Sequence, residues 1–384
     1  MKEKLSLPKG WELKTIGDVC VSASSNISQN KLEEDEGDYP IFGASGLIKK
    51  ISFYHRDKPY LSIVKDGSGV GRVTKMVACT SVIGTLQYIL PKENIDLDYL
   101  NYSLMSVDFK KYVAGAAIPH IYFKDYKNEP FLWMPLHEQQ RIVSILDEAF
   151  AAIAKAKANT EQNLKNAIAL FDCVLDSILF NQKYQVKQLG EVCLKVEYGS
   201  STKSTSKGKL PVLRMGNIQN GRFVWDSLVY SDNEEDNEQY LLKQNDVLFN
   251  RTNSPELVGK TAIYKSEMPA IFAGYLIRIH RKEDLLDADY LNYYLNSKMA
   301  FEYGKTVVIS SVNQANINGT KLKTYPIPLP TLKEQQTIVL QLDALRAETQ
   351  KLEAIYQQKL LNLVALKKSV LQKAFAGELT TEKE

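Results

Sequence analysis

Histidine and cysteine are scarce in this chain of 384 residues, four of each, and their placement excludes more than their number does. Cys20, Cys79, Cys173 and Cys193 form no CxxC pair and have no histidine at ligand spacing, which argues against zinc and against a disulfide framework. The plain reading is reduced, mostly buried thiols in a cytoplasm. His55, His120, His137 and His280 are scattered, with no serine or cysteine partner pattern for nucleophilic catalysis. No apolar run approaches the roughly eighteen residues of a membrane span, and Met1 to Gly10 is charged without the apolar core of a signal peptide. Charge of one sign is missing too. A net +3 permits a nucleic-acid partner without announcing one, so any basic footprint is local.

Recognisable catalytic loops are also absent. Phe42, Gly43, Ala44, Ser45, Gly46 has the wrong glycine spacing for a methyl-donor or dinucleotide fingerprint, and there is no Asn-Pro-Pro-Tyr or Asp-Pro-Pro-Tyr tetrad. Gly67, Ser68, Gly69, Val70, Gly71, Arg72 lacks the Lys-Ser/Thr ending with which a phosphate loop holds a nucleotide and its magnesium. It reads as a turn with a basic residue. The acidic runs Glu33 to Asp38 and Asp232 to Glu238 are dense enough to repel phosphate, so they read as solvated loops placed away from any DNA.

What the chain does contain, it contains twice. Glu138, Gln139, Gln140, Ile142 and Val143 recur as Glu334, Gln335, Gln336, Ile338 and Val339, and Leu146 with Asp147 as Leu342 with Asp343, 196 positions on. Each set opens a stretch free of Gly and Pro, to about Gln182 in the first and Ala376 in the second. Apolar residues three and four apart put Ile142, Leu146, Ala149, Ile153, Ala156, Ala167, Leu170 and Val174 on one helix face, and Ile338, Leu342, Leu345, Leu352, Leu363, Leu366 and Val370 on the other. A lone helix would leave such a stripe wet. Two of matched length predict that they pair with each other as a coiled coil, each roughly 65 to 70 Å long at 1.5 Å per residue; the alternative is that each docks on its own globular neighbour.

The repeat extends into the globular parts. Lys14, Gly17, Val19, Cys20 is echoed by Lys187, Gly190, Val192, Cys193, and Asp98, Tyr99, Leu100, Asn101, Tyr102 by Asp289, Tyr290, Leu291, Asn292, Tyr293. Short β-rich runs such as Tyr60 to Val64, Gly71 to Val77, Val247 to Asn250 and Ile271 to Ile279 precede one late helix per half, expected at Asp98 to Lys111 and Asp289 to Tyr303 with those aspartates as N-caps. Prolines close each half. The fold class is α+β, two tandem-duplicated globular domains each followed by a long helix: domain 1–135, helix 136–183, domain 184–330, helix 331–384.

The loops are rich in side chains that read base edges or hold phosphate. In the first half these are Ser45, Lys49, Lys50, Lys65, Asp66, Ser68, Arg72, His120, Tyr122 and Lys124; in the second, Ser200 to Lys209 with Lys203 among them, Arg214, Asn217, Asn250, Arg251, Thr252, Asn253, Asn313, Gln314, Asn316 and Asn318. Recurrence at matched places in both halves makes them DNA-binding candidates as a set.

The arrangement resembles the specificity subunit of type I restriction-modification enzymes. The EQQxIV starts at Glu138 and Glu334 carry the resemblance, with the Asp-Tyr-Leu-Asn-Tyr helices and Asp246 to Asn253 followed by Gly259 and Lys260. The first half departs from it, having Ile63, Val64, Lys65, Asp66, Gly67 where Leu-Phe-Asn-Arg-Thr is usual. The resemblance implies two target recognition domains on double-stranded DNA, the two long helices as spacers packed in an antiparallel coiled coil, a bipartite target with an unread gap, and no catalytic centre. Two methyltransferase subunits and the restriction (motor nuclease) subunits would be its partners, and S-adenosylmethionine, ATP and magnesium would belong to them. Glu138, Gln139, Gln140, Glu334, Gln335 and Gln336 would dock the methyltransferases, or would simply satisfy the helix starts. A self-sufficient methyltransferase or nuclease, and a coiled-coil scaffold for proteins, are the competing readings.

Overall fold

The computed structural model describes residues 9–181, 183–311 and 314–378. They group into two compact units, one from the described parts of Met1–Glu161 and Gln358–Glu384, the other from Gln162–Gln357. Each unit therefore holds one globular domain, the near part of its own long helix and the far part of the other.

In the first unit a four-stranded antiparallel sheet runs Cys20–Ser24, Leu86–Pro91, Tyr60–Val64, Val73–Met76, and a three-stranded sheet runs Gly46–Ile51, Tyr39–Gly43, Ser81–Val82, its last pair parallel. The second unit repeats both. Its four strands are Cys193–Tyr198, Leu276–Arg281, Val247–Asn250, Thr261–Ile263, and its three are Val229–Ser231, Leu210–Leu213, Ile271–Phe272, again with the last pair parallel.

The central strands are buried throughout because both their faces are covered. Side chains alternate across a strand, so Leu61 and Ile63 enter the cluster that contains Tyr99, Leu100 and Ile142, while Tyr60 and Val64 enter the one between the two sheets. In the second unit Val247 and Phe249 face Tyr290, Leu291 and Ile338, and Leu248 faces Leu213 and Phe272. Each domain is thus three layers deep.

The run Ile271 to Ile279, expected as one strand, is two. Leu276 N donates to Ala273 O at 2.9 Å, and the chain turns there from one sheet into the other. The first unit turns in the same way, with Leu86 N to Ile83 O at 3.0 Å.

The late helices also differ from expectation. The N-caps are Asp96 and Asp287, two residues upstream: Asp96 accepts from the amides of Asp98 and Tyr99, and Asp287 from that of Tyr290. Asp98 and Asp289 lie in the first turn, where they instead pair with Lys75 at 2.6 Å and Lys265 at 2.7 Å. The helices are short, Leu97–Ser106 and Ala288–Leu295, and in the second unit Ser297 caps a new helix, Lys298–Val307.

The long helices span Leu136–Leu179 and Leu332–Phe375 and pack antiparallel. Ile142 and Leu146 share a core with Leu371 and Ala374, and Phe171, Leu175 and Leu179 share one with Ile338 and Leu342. Each helix also packs on its own domain, so the two alternatives coexist. On the first helix the predicted seam holds as far as Ala167 and then slips by one residue, Leu170 being 44% exposed and Phe171 buried; on the second, Leu352 and Leu366 are 37% and 48% exposed, while Leu371 is buried. Toward its end the first long helix takes steps of four, Phe171, Leu175, Leu179, because it follows the other domain's surface and not a strict heptad.

Candidate nucleic-acid interface

The central strand of each domain ends in a loop that carries two of the predicted cations, and the same four backbone hydrogen bonds hold both loops. In the first domain Val64 N donates to Arg72 O (3.1 Å), Gly71 N to Val64 O (2.9 Å), Lys65 N to Thr85 O (2.9 Å) and Ile121 N to Lys65 O (2.9 Å). In the second, Asn250 N donates to Lys260 O (2.8 Å), Gly259 N to Asn250 O (2.8 Å), Arg251 N to Tyr275 O (3.0 Å) and Ile317 N to Arg251 O (2.9 Å). Gly71 and Gly259 both take positive φ, +85° and +93°, which suits a residue without a Cβ.

This pattern aligns the halves where their sequences do not. Lys65 stands where Arg251 stands, Arg72 where Lys260 stands, and His120, bridged to Asp66, where Asn316, bridged to Thr252, stands. Each domain therefore brings together two cations and one side chain able to donate and accept. Gly84, Thr85, Leu86 and Gly274, Tyr275, Leu276 were a further echo in the sequence that would have located the supporting turn.

Around this centre the first domain places Arg72 against Ala44 O, tying the loop to the turn that exposes Ser45. His120 and Lys124 flank the half-exposed Tyr122 ring at 5.2 and 5.3 Å. Lys65 lies 3.5 Å from Asp66. In the second domain the Arg251 guanidinium sits over Tyr198 at 4.9 Å and donates to Gly274 O at 3.3 Å. Tyr198, 41% exposed, and Tyr275, 52% exposed, are residues the sequence reading passed over. Arg214, Gln219, Asn253, Leu257 and Lys260 line a cleft of about 690 Å³. Asn316 donates to Thr252 Oγ1 at 2.7 Å, and Asn253 accepts from Ser254 N at 2.8 Å. Lys203 and Gln314 are exposed, and Asn313 lies outside the described residues.

Several candidates turn inward. Asn250 is wholly buried and donates to Leu257 O at 3.3 Å, and Ser200 donates to Asp236. Asn217, 3% exposed, spends its oxygen on Arg214 N and its amide on Val224 O and Asp226 O, so it shapes the cleft without facing it. Arg214 itself donates to Ser227 O at 2.9 Å across the same loop. Lys49 donates to Leu32 O at 2.8 Å and Glu33 O at 3.3 Å, where it pins the first acidic run to its sheet. The second acidic run lies beside the Ser200 to Lys209 loop: Glu234 pairs with Lys209 at 2.6 Å and thereby removes that cation from the candidates.

The helix starts need a larger correction. Gln139 and Gln335 are wholly buried. Gln139 accepts from Asp96 N (2.9 Å) and donates to Asn94 O (3.0 Å) and Met134 O (2.8 Å); Gln335 accepts from Asp287 N (2.8 Å) and donates to Leu285 O (2.8 Å) and Pro330 O (2.9 Å). Both fasten the long helix to the cap of the late helix and are not presented to any partner. Glu334 accepts from the amide and hydroxyl of Thr331, which hold its carboxyl below the usual range. Glu138 pairs with Arg141 at 3.1 Å. Gln140 and Gln336 are the exposed members.

Beneath the second interface lies a charged core. Arg278, 6% exposed, donates to Glu197 at 2.9 Å and to Asp246 at 3.1 Å, and His280 contacts Glu197 at 2.9 Å. Burial alone would raise the Glu197 carboxyl, but the hydrogen bonds from His280 and Arg278 win and bring it to about 2. Among the described residues no three His, Cys, Asp or Glu side chains are placed to hold a metal, and no helix is long and apolar enough to cross a membrane.

A family model described as the type I restriction modification DNA specificity domain matches residues 8–166 and 181–362. The type I restriction enzyme StySPI specificity subunit of Salmonella potsdam is 27% identical over 423 residues, covering 98% of this chain and 90% of its own length. The EcoKI specificity subunit of Escherichia coli K12 is 27% identical over 266 residues, 65% of this chain and 57% of that one. Two solved structures share the fold at 18% identity. One, from work on complex assembly and conformational transition of the type I R-M system, has a TM-score of 0.74 and covers 98% of this chain and 100% of its own. The other, the HsdS subunit from Thermoanaerobacter tengcongensis, has a TM-score of 0.61, with 98% and 99% covered.

Proposed function

The chain belongs to the type I restriction-modification DNA specificity family, and from that premise we propose that it reads a bipartite DNA target, one half-site per domain, for partner subunits that carry the chemistry. The observation that supports this most is the matched loop pair: Lys65, Arg72 and His120 in one domain and Arg251, Lys260 and Asn316 in the other occupy equivalent backbone positions. Cations there hold phosphate or guanine, and Asn316 suits adenine. Tyr122, Tyr198 and Tyr275 add exposed aromatic surface beside them.

In this reading the paired long helices hold the two domains at a set separation, which makes the unread gap a fixed length. The chain has no catalytic centre of its own. Methyltransferase subunits transfer a methyl group from S-adenosylmethionine to adenine, and restriction subunits use ATP and magnesium. With Gln139 and Gln335 buried, docking falls to the exposed helix faces, where Gln140, Gln336, Leu361 (66% exposed) and Val364 (64%) are available.

Co-expression with a partner methyltransferase, followed by sequencing that detects methylated adenine, tests the proposal. One bipartite motif with a constant gap is the expected result. Absence of any motif from an assembled, folded complex overturns it.

A further inference from the structure

The two ends of the long-helix pair are built from the same three places, with the chemistry exchanged at two of them. In the first unit Phe150 lies edge-on to Tyr102, centroids 5.3 Å apart, and Lys367 of the second long helix sits 4.9 Å from the Phe150 ring. In the second unit the repeat of Phe150 is Arg346, and the repeat of Lys367 is Phe171, each 196 positions away. There the Arg346 guanidinium lies 4.4 Å from Phe171 and 5.3 Å from Tyr293, the repeat of Tyr102. Aromatic and cation have exchanged places in the repeat, so that the first long helix supplies the aromatic and the second the cation at both ends, and each end keeps one of each. Arg346 is held further by donating to Asn220 O at 2.8 Å.

Between these contacts the seam is poor in shape. Ala149, Ile153, Ala156 and Ala167 on the first long helix are small or aliphatic and would accept the second helix after a slip of one heptad. The ends would not. Such a slip would set Phe150 against Leu360 or Ala374 and Arg346 against Leu164 or Ile178. The Arg346 guanidinium would lose the Phe171 face, keep only the more distant Tyr293, and lie against aliphatic carbon on the partner helix. Two copies of the second helix paired in the same register would face Arg346 with Lys367 at both ends, so like charges also reject that pairing.

We infer that Phe150, Phe171, Arg346 and Lys367 set the register in which the long helices pair and, through it, the number of base pairs left unread between the half-sites. The second clause rests on the DNA-reading proposal; the first does not. These are positioning residues, acting at a distance from any base.

The test uses the full chain. F150R sets two cations against each other, K367F sets two aromatics against each other, and F150R/K367F rebuilds the contact with its roles exchanged, as the other unit already has it. F150R is expected to lower Tm by roughly 2–4 °C and the double variant to recover at least half of that. If the two single losses simply add, the side chains only fill space and the inference fails. In the methylated-motif assay F150R is expected to give both half-sites with more than one gap length, and F150R/K367F a single gap again. An F150R chain that is less stable but keeps the parent's single gap overturns the register claim and leaves the DNA reading standing. A parent chain without any bipartite motif overturns the DNA reading, and the thermal cycle still decides the seam.

Discussion

A buried primary amide is costly unless its polar atoms find partners, and Gln139 finds three in the backbone of the loop it seals. Q139A would leave Asp96 N, Asn94 O and Met134 O unpaired around a cavity, at a cost of about 2–4 kcal/mol. Q140A, on the exposed neighbour, should stay within about 0.5 kcal/mol. Urea unfolding of the two variants separates them, and equal midpoints would show that the buried amide is dispensable. The same distinction applies in the loops. R72A and K260A are expected to weaken DNA binding across sequences, each lowering the slope of log affinity against log salt by about 1. K49A and N217A should leave that slope unchanged and act on stability alone, because their side chains already serve the fold. Salt titrations of binding to the methylation motif check both.

Glu197 gives a pH dependence with a definite sign. Its folded value, about 2, lies below its ordinary 4.5, so the stability it contributes is complete above about 4.5 and is lost as pH falls from there toward 2. In the first domain the place of Arg278 is taken by Tyr88, which pairs across the same central strand with Ser62, so no buried carboxylate network is at stake there. Acid unfolding followed by hydrogen exchange should show the second domain opening first between pH 4.5 and 2, and E197Q should flatten that response. Simultaneous opening of both domains would contradict this assignment.

At the level of elements, the legible parts of the sequence were those where one residue has one structural duty in both halves. The Asp-Tyr-Leu-Asn-Tyr and EQQxIV repeats are two sides of a single clasp: Tyr102 bonds Asp147 and Tyr293 bonds Asp343, while Tyr99 and Tyr290 donate to Leu132 O and Pro328 O at 2.8 Å. Duplicated side chains meeting duplicated side chains must be retained together, which is why they stood out. The recognition loops were less legible for the converse reason. Their equivalence lives in backbone hydrogen bonds that Val64-Lys65-Asp66 satisfies as well as Asn250-Arg251-Thr252, so letters differ where geometry does not. The inward turn of Gln139, Asn217 and Lys49 was invisible because burial of a polar side chain depends on partners distant in sequence. The seam beyond Ala167 escaped because Leu170 and Phe171 are equally apolar and only packing chooses between them. Exposed Leu361 and Val364 are what that choice leaves outside, and L361S/V364S is expected to impair assembly with a methyltransferase subunit while leaving Tm within a few degrees, as read by co-purification and thermal unfolding.

For the whole molecule, the decisive property is that both long helices have 44 residues and open with the same clasp. Equal rods with identical attachments make the pairing symmetric in length, so adding material to one alone cannot be absorbed by the other. Four extra residues, roughly one turn or 6 Å, inserted midway along the first long helix would shift one clasp relative to its counterpart by nearly two base-pair steps of about 3.4 Å, and would rotate it by about 40° because 3.6 residues complete a turn. The expected outcome is a methylated motif with unchanged half-sites and an altered gap, or no binding where the rotation takes one domain off the duplex. Matching four-residue insertions in both helices keep the lengths equal and should restore binding with a longer gap. If the singly lengthened chain still directs methylation to the parental motif with the parental gap, the helices do not measure the DNA and the spacing must be set within the domains themselves.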